Sequence, residues 1–134
     1  MFSHHANPEG TLQVTVVEAR KLKDEDLIGK NDPYVELWLD SKYKQRTKTL
    51  NGTNDPVFNQ TFTFPLSRGS SDHKLHFQVF DKDTIGSDEV GKCSVDFADV
   101  VQGRPVDDWF KLKGSTGLRS HGDLHLVLSF VPSY

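Results

Sequence analysis

The chain has 134 residues, of which 35% are hydrophobic and 26% charged, and its formal net charge at pH 7 is −3. This length fits one domain with one substantial core, and the composition is that of a globular protein and not of a disordered one. The negative net charge argues against a dedicated nucleic-acid binder. The single cysteine excludes an internal disulfide, which fits a reducing compartment.

The first ten residues, MFSHHANPEG, contain no apolar run, so they predict that there is no signal peptide. No stretch of the sequence approaches the roughly 20 apolar residues of a transmembrane helix. We therefore expect a cytoplasmic protein in which residues 1–9 form a loose tail and residues 10–134 form the domain.

Apolar and polar residues alternate along most of the chain. In chain order, the alternation is strong in TLQVTV and YVELWL, weaker over 42–49 and 58–64, strong in KLHFQVF, weaker over 90–97 and 108–112, and strong in DLHLVLSF. A period of two predicts strands that bury one face, and clusters of turn residues separate the eight segments. The sequence therefore predicts an all-β fold, an eight-stranded antiparallel β-sandwich.

Acidic residues concentrate in two of the turns, KDEDLIGKNDPYV and DKDTIGSDEVGK. If both turns lie at one edge of the sandwich, five carboxylates converge, those of Asp26, Asp32, Asp81, Asp83 and Asp88. Two carboxylates about 5 Å apart repel each other by roughly 1 kcal/mol in water, so we expect a cation to neutralise the cluster. Calcium suits it because calcium accepts about six to eight oxygen ligands in loose geometry, whereas zinc would require His or Cys.

The second acidic turn is not an EF-hand loop. Asp81, Asp83 and Gly86 match the EF-hand positions one, three and six, but Ile85 occupies position five and Lys92 stands where a bidentate Glu is required. The segments that flank the turn also have the pattern of strands and not of helices.

Several segments together resemble a C2 domain along roughly residues 10–132. They are LQVTVVEARKL, DLIGKNDPYV, NDPVFNQTFTF, LHFQVFDKD with EVGK, PVDDWFKL and GDLHLVLSF. The resemblance is closest to small, free-standing members, and it implies an eight-stranded sandwich with calcium loops at one end that docks on phospholipid. Because the first acidic turn follows the first strand directly and GDLHLVLSF comes last, the resemblance implies the permuted topology called type II.

The resemblance also implies which residues bind calcium. By position they are Asp26 and Asp32 in the first loop, Asp81 and Asp83 in the third, and the backbone carbonyls of Leu27 and Lys82. The family's third loop has its last Asp eight residues after its first and three before a Gly. Here Asp88 lies seven residues after Asp81 and three before Gly91, whereas Glu89 lies eight after Asp81. We predict Asp88 as the fifth carboxylate, with Glu89 as the alternative.

Apolar residues stand at the tips of the two acidic turns. Leu27 and Ile28 lie in the first turn and Ile85 in the other, where a side chain either folds back onto the core or inserts into a membrane. We predict membrane insertion for Ile28 and Ile85. Burying one aliphatic side chain contributes roughly 1.5–3 kcal/mol, so that stable anchoring needs a second attraction.

The segment SKYKQRTKT alternates basic residues with others. As a strand it would present Lys42, Lys44, Arg46 and Lys48 on one face. Such a face is either a charged surface that prevents edge pairing or a patch for anionic lipid, to which each basic residue contributes about 1 kcal/mol. In the family this strand lines a surface that binds phosphoinositides. Trp38, on the polar face of the preceding strand, either stacks beside a headgroup or covers the sheet.

No Ser or Cys nucleophile stands in a recognisable turn with a base, and no His pair has metal-ligand spacing with a third ligand, so we expect no enzymatic activity. The sequence predicts a monomeric, calcium-dependent module that is recruited from the cytoplasm to anionic membrane, with phosphatidylserine and phosphoinositide as its lipids. The alternative is a calcium-independent module that binds lipid or protein through the basic strand.

Overall fold

The computed structural model describes residues 6–23, 30–83, 85–114 and 120–133. In this part of the chain, the regular secondary structure consists of strands, apart from one short 3-10 turn at Val100–Gln102. The strands are β1 (Gly10–Arg20), β2 (Pro33–Trp38), β3 (Gln45–Arg46), β4 (Val57–Leu66), β5 (Lys74–Asp83), β6 (Gly86–Asp96), β7 (Val106–Lys113) and β8 (Ser120–Pro132). The predicted all-β fold with eight antiparallel strands is confirmed.

The strands follow the order β3-β2-β5-β6-β7-β8-β1-β4. Because β6 and β7 share only one register pair, Lys92 opposite Lys113, the order divides there into a first sheet, β3-β2-β5-β6, and a second sheet, β7-β8-β1-β4, which pack as a sandwich. The last strand lies beside the first, with Gly10 opposite Pro132. This pairing confirms the permuted strand order predicted from the position of GDLHLVLSF.

The alternation seen in the sequence becomes the core of the sandwich. Leu12, Val14 and Val16 of β1 are fully buried, and Leu75 and Val79 of β5 face them from the other sheet. Each fully buried aliphatic side chain stabilises the fold by roughly 1.5–3 kcal/mol, so burial of these faces holds the two sheets together. The turns that connect the strands lie at the two ends of the sandwich.

The basic segment differs from its predicted strand over 42–49. The regular ladder with β2 is limited to Gln45–Arg46, because a turn at Asp40 holds the preceding residues and only single bonds follow, from the Thr47 and Leu50 amides to the Val35 and Pro33 carbonyls. The Asp40 carbonyl accepts a hydrogen bond from the Tyr43 amide at 2.9 Å, and its Oδ1 accepts one from the Lys42 amide at 2.9 Å. Local bonds from an Asp side chain compete with strand pairing in this way.

The segment predicted as a loose tail contains one fixed residue. Asn7 is buried, and its side-chain amide donates to Ser70 Oγ at 2.7 Å and to the Asp72 carbonyl at 2.6 Å. Residues 1–5 lie outside the described part of the chain. Within the part that is described, no helix has the length and hydrophobicity needed to cross a bilayer.

Candidate functional site

The β5–β6 hairpin places three of the predicted calcium ligands on one face. Asp81 stands opposite Asp88, and Asp83 stands opposite Gly86. Directly opposed residues of an antiparallel pair point to the same side, and residues two apart along a strand share a face. Asp81, Asp83 and Asp88 therefore lie on one face of the hairpin.

Glu89 has the opposite parity. It stands opposite Phe80, and its carboxylate accepts a hydrogen bond from the side chain of Gln78 on the outer surface of the sheet. A bulge makes this possible, because the register steps from Val79 opposite Gly91 to Phe80 opposite Glu89 and leaves Val90 without a direct partner. Because the bulge lies between Asp88 and Gly91, the number of residues between them does not by itself determine the direction of the Asp88 side chain.

Asp32 joins the first acidic turn to this hairpin. Its amide donates to Asp81 Oδ1 at 2.7 Å, and its carbonyl accepts a hydrogen bond from the Lys82 amide at 2.9 Å. Its own Oδ1 accepts a hydrogen bond from the Gly52 amide at 2.7 Å. These bonds hold Asp32 and Asp81 side by side at one end of the sandwich. Asp26, Leu27 and Ile28, which we also predicted as site residues, lie outside the described part of the chain.

Asn31 is a positioning residue that sequence reasoning missed. It is 3% exposed, although Asn is mostly exposed in proteins. Its side-chain amide donates to the Lys23 carbonyl at 3.0 Å and to Asn54 Oδ1 at 2.7 Å, and its carbonyl accepts from the Thr53 amide at 2.8 Å. Asn31 thereby ties the residue next to Asp32 to the neighbouring turn. Its place directly before Asp-Pro-Tyr was the only indication in the sequence.

The donor set at this end suits a hard divalent cation. Asp32, Asp81, Asp83 and Asp88 offer carboxylate oxygens, which calcium prefers, and not the thiols or imidazoles that zinc prefers. Within the described ranges, no three or more acidic, His or Cys side chains are grouped closely enough to hold a metal ion. The described residues thus supply part of an oxygen donor set, in which Asp32 and Asp81 adjoin.

Ile85 stands at the tip of the hairpin, next to the carboxylates. It is 96% exposed, more than any other large hydrophobic residue in the described part of the chain. Gly86 follows it with a φ of 133°, a backbone conformation that residues with a side chain rarely adopt. The hairpin therefore turns tightly and projects an aliphatic side chain beyond the acidic face.

Two of the predicted lipid-binding residues are placed on aromatic rings. The Lys44 ammonium lies 4.3 Å from the centre of the Trp38 ring, and the Arg46 guanidinium lies 3.9 Å from that of Tyr34. Cation–π contacts of this kind contribute about 0.5–1 kcal/mol at exposed sites. Lys44 also lies 3.9 Å from a Glu36 carboxylate oxygen, so its charge is partly balanced.

The outer face of this sheet is more aromatic than the sequence alone suggested. Tyr34 stacks on Phe80 with 5.3 Å between ring centres, and Trp38 stacks on His76 at 5.7 Å. These rings come from opposed positions on β2 and β5. We predicted the outward direction of Trp38 from its parity, whereas the contacts depend on strand register, which the sequence did not reveal.

Lys42 and Lys48 do not continue the strand formed by Arg46. Lys42 lies in the turn at Asp40, and Lys48 follows β3, with its amide donating to Gln60 Oε1 at 2.7 Å. Both side chains are exposed. The structure therefore places Lys44 and Arg46 on the aromatic surface and leaves Lys42 and Lys48 outside the regular strand β3.

The single cysteine takes no part in this end of the molecule. Cys93 packs against the core, and burial raises the pKa of its thiol to about 12 from an ordinary value of 9.0. A thiol in this environment remains protonated at neutral pH and is a poor nucleophile or metal ligand.

Comparison with known proteins agrees with this architecture. The family model described as "C2 domain" matches residues 10–112. Synaptotagmin-5 of Arabidopsis thaliana is 39% identical over 107 residues, covering 79% of this chain and 19% of that protein. A calcium-dependent lipid-binding protein of the same plant is 42% identical over 82 residues, covering 61% of this chain and 16% of that protein. The chain thus spans less than a fifth of the length of these two relatives.

A solved structure of similar size matches over the whole chain. It is described as a C2 domain-containing protein from a putative elicitor-responsive gene, and it is 30% identical with a TM-score of 0.77. The match covers 100% of this chain and 97% of that one. The sandwich, the permuted strand order and these matches together establish that the chain belongs to the C2 domain family.

Proposed function

We propose that this domain binds calcium at the end formed by Asp32 and the β5–β6 hairpin, and that it thereby docks on anionic phospholipid without catalysing a reaction. The observation that supports this most is the register of the hairpin, which turns Asp81, Asp83 and Asp88 to one face beside Asp32. Carboxylates that lie close together on one small surface repel each other, and a bound cation would remove this repulsion.

The proposed ligands are the carboxylates of Asp26, Asp32, Asp81, Asp83 and Asp88, with the backbone carbonyls of Leu27 and Lys82. Calcium bound there would supply positive charge against these carboxylates and a coordination partner for phosphate or carboxylate oxygens of lipids. Asp32 and Asp81 are held in place by backbone amides, which reduces the conformational entropy that binding must overcome. Glu89 is engaged by Gln78 on the other face, so we assign the fifth place to Asp88.

Ile85 and the basic surface would supply the remaining attraction to the membrane. Ile85 is almost fully exposed, so its burial in the apolar part of a bilayer would contribute up to about 1.5–3 kcal/mol. Ile28 is proposed for the same role. Lys44 and Arg46, together with Lys42, Lys48 and Trp38, would bind anionic headgroups such as phosphatidylserine or a phosphoinositide. The domain would act as a cytoplasmic monomer that becomes peripheral to the membrane.

Sedimentation with phosphatidylserine vesicles tests this proposal. We expect the domain to sediment with the vesicles in millimolar calcium and to stay in solution when a chelator is in excess. Vesicles of neutral phosphatidylcholine serve as the control, because they lack the anionic headgroup. Equal sedimentation in calcium and in chelator would contradict the calcium-dependent part of the proposal.

The basic surface supports a second candidate, a calcium-independent module that binds lipid or protein. The supporting observation is that Lys44 and Arg46 are positioned by the rings of Trp38 and Tyr34, which lie on the strand β2 and belong to neither acidic turn. The double substitution Lys44→Gln and Arg46→Gln separates the two candidates. Under the first, vesicle binding weakens but still depends on calcium. Under the second, binding is abolished at every calcium concentration.

A further inference from the structure

The two sheets of the sandwich separate along the seam between β6 and β7. These strands share one register pair, Lys92 opposite Lys113, and from Cys93 to Asp96 the strand β6 pairs with β5 alone. In an antiparallel pair, every second residue turns its amide and carbonyl away from the partner strand. Among the described residues, no backbone group bonds to the outer edge of this stretch of β6.

The other seam of the sandwich is bridged. Between β3 and β4, the Gln45 side-chain amide donates to the Thr63 carbonyl at 3.1 Å. Just beyond β3, the Lys48 amide donates to Gln60 Oε1 at 2.7 Å. Apart from the bridge at Lys92 and Lys113, no hydrogen bond joins the β6–β7 seam within the described residues, and beyond that bridge the seam opens into a groove of about 680 Å³. Grooves of roughly 300–1,000 Å³ are of the size that binding sites have.

The walls of this groove combine positive charge with aromatic surface. Its charged lining is formed by three exposed lysines and its aromatic lining by four rings: Lys92, Lys111 and Lys113, and Trp38, His76, Phe77 and Phe110. No carboxylate of the described residues forms an ion pair with any of the three lysines. Like charges directly opposite each other destabilise a strand pair, so the pairing of Lys92 with Lys113 favours an anion between them.

We propose that the β6–β7 groove binds an extended, acidic peptide segment of a partner protein. The peptide adds as a strand to the outer edge of β6 along Cys93–Asp96, and its acidic side chains meet Lys92, Lys111 and Lys113. An apolar side chain of the peptide packs on Phe110 at the aromatic wall. An open strand edge requires a partner with backbone donors and acceptors, and for this reason we favour a peptide over a lipid headgroup. The groove runs along β6 from Lys92 to Ser94, beside the Trp38 surface proposed for headgroups, and peptide binding there requires neither calcium nor membrane.

The test is titration of the domain, in chelator and without lipid, with a fluorescent acetylated peptide about eight residues long in which Glu alternates with Val and Trp. We expect saturable binding, with backbone amide shifts in NMR spectra confined to Cys93–Asp96 and the groove. The triple substitution Lys92→Gln, Lys111→Gln and Lys113→Gln should weaken binding about tenfold or more, because each lysine contributes one exposed ion pair.

A matched control carries the same change of net charge elsewhere. The triple substitution Lys21→Gln, Arg68→Gln and Lys74→Gln removes three exposed basic residues that do not line the groove, and it should leave the affinity within about twofold. If both triple variants weaken binding equally, the attraction is a property of the whole surface and the groove proposal fails.

Two further probes keep the proposal falsifiable. A peptide of the same sequence with alternate backbone nitrogens methylated should not bind, because it cannot pair with the edge of β6. If it binds as well as the parent peptide, strand addition is wrong. Inositol hexakisphosphate tests the other occupant. If it binds in the groove while the peptide does not bind at all, the site takes clustered phosphates and the peptide proposal is overturned.

Discussion

Asp88 and Glu89 are neighbours in sequence with opposite directions in the structure. Asp88 shares the hairpin face of Asp81, whereas Glu89 is directed to the outer sheet surface, where Gln78 donates a hydrogen bond to it. Residue spacing alone did not decide which of the two is the fifth carboxylate ligand, because the loop is one residue shorter than the family's pattern. The bulge at Val90 provides the physical reason, since it changes the count along the strand without changing the face of Asp88.

The matched pair Asp88→Asn and Glu89→Gln tests this assignment. Both substitutions remove one negative charge and keep the shape of the side chain. We expect Asp88→Asn to raise the calcium concentration for half-maximal vesicle binding about tenfold or more, and Glu89→Gln to change it less than about twofold, because the number of charged ligands tunes calcium affinity. The measurement is vesicle sedimentation across a calcium series. The reverse order would assign the fifth place to Glu89.

Cys93 gives a prediction about pH. Burial raises the pKa of its thiol to about 12 in the folded chain from an ordinary value of 9.0, so the folded state favours the protonated thiol. The resulting stability is fully present below pH 9 and is lost as the pH rises toward 12. We expect the free energy of unfolding to fall by about 1 kcal/mol between pH 8 and pH 10 from this group.

Urea denaturation at the two pH values measures the effect, with Cys93→Val as the control. Other groups titrate over the same range in both proteins, so the difference between them isolates the thiol. A variant with the same dependence on pH as the parent would contradict the assignment. In the native state at pH 8, the thiol should also react with alkylating reagents far more slowly than in denaturant.

At the scale of elements, the β5–β6 hairpin combines a charged face with an apolar tip. Ile85 projects from a turn that also holds Asp83, so the tip can reach apolar surface only where the charge beside it is neutralised. Under the proposed function, we expect the hairpin to respond both to ions and to membranes. An isolated exposed isoleucine would otherwise be an ordinary surface residue.

The substitution Ile85→Ser tests the role of the tip. Because the side chain is 96% exposed, we expect the melting temperature to change by no more than about 1 °C. Vesicle binding in saturating calcium should weaken about tenfold, because the variant loses part of the free energy gained when one aliphatic side chain is buried in the bilayer. Val131→Ser, an exposed position on β8, is the matched control. Unchanged vesicle affinity of the Ile85 variant would exclude insertion.

The strands show what sequence could and could not predict. Alternation around Val14, Val35, Phe77 and Leu126 predicted strands that the structure contains, because burial of one face is a local pattern. The basic segment misled us because the alternation of charges resembles a strand, yet hydrogen bonds to Asp40 form a turn there. Contacts that depend on register were not predictable, and the stacks of Tyr34 and Trp38 on the neighbouring strand belong to this class.

At the scale of the whole molecule, the surface separates its charges despite a net charge of only −3. Carboxylates gather at one end of the sandwich, Lys44 and Arg46 lie on the outer face of the first sheet, and Lys92 lies at the β6–β7 seam. An ion that binds these carboxylates in the folded form only would stabilise that form, because its binding free energy adds to the free energy of unfolding.

Thermal unfolding with and without calcium measures that linkage. We expect the melting temperature to rise by about 10 °C when calcium exceeds its dissociation constant roughly a hundredfold. The substitution Asp83→Asn should reduce the rise by more than half, because it removes one proposed ligand, and magnesium at the same concentration should give a smaller rise because it requires stricter geometry. An identical melting temperature in calcium and in chelator would count against a calcium site in this domain.

The pairing of β1 with β8 also determines how the chain must fold. β1 is an interior strand of its sheet, and one of its two partners is the last strand of the domain, with Gly10 opposite Pro132. The second sheet therefore cannot close until β8 has left the ribosome, and one edge of β1 stays without its strand partner during almost all of synthesis. Contacts between the two ends of a chain slow folding, so we expect refolding in milliseconds to seconds and chaperone protection of the nascent first strand.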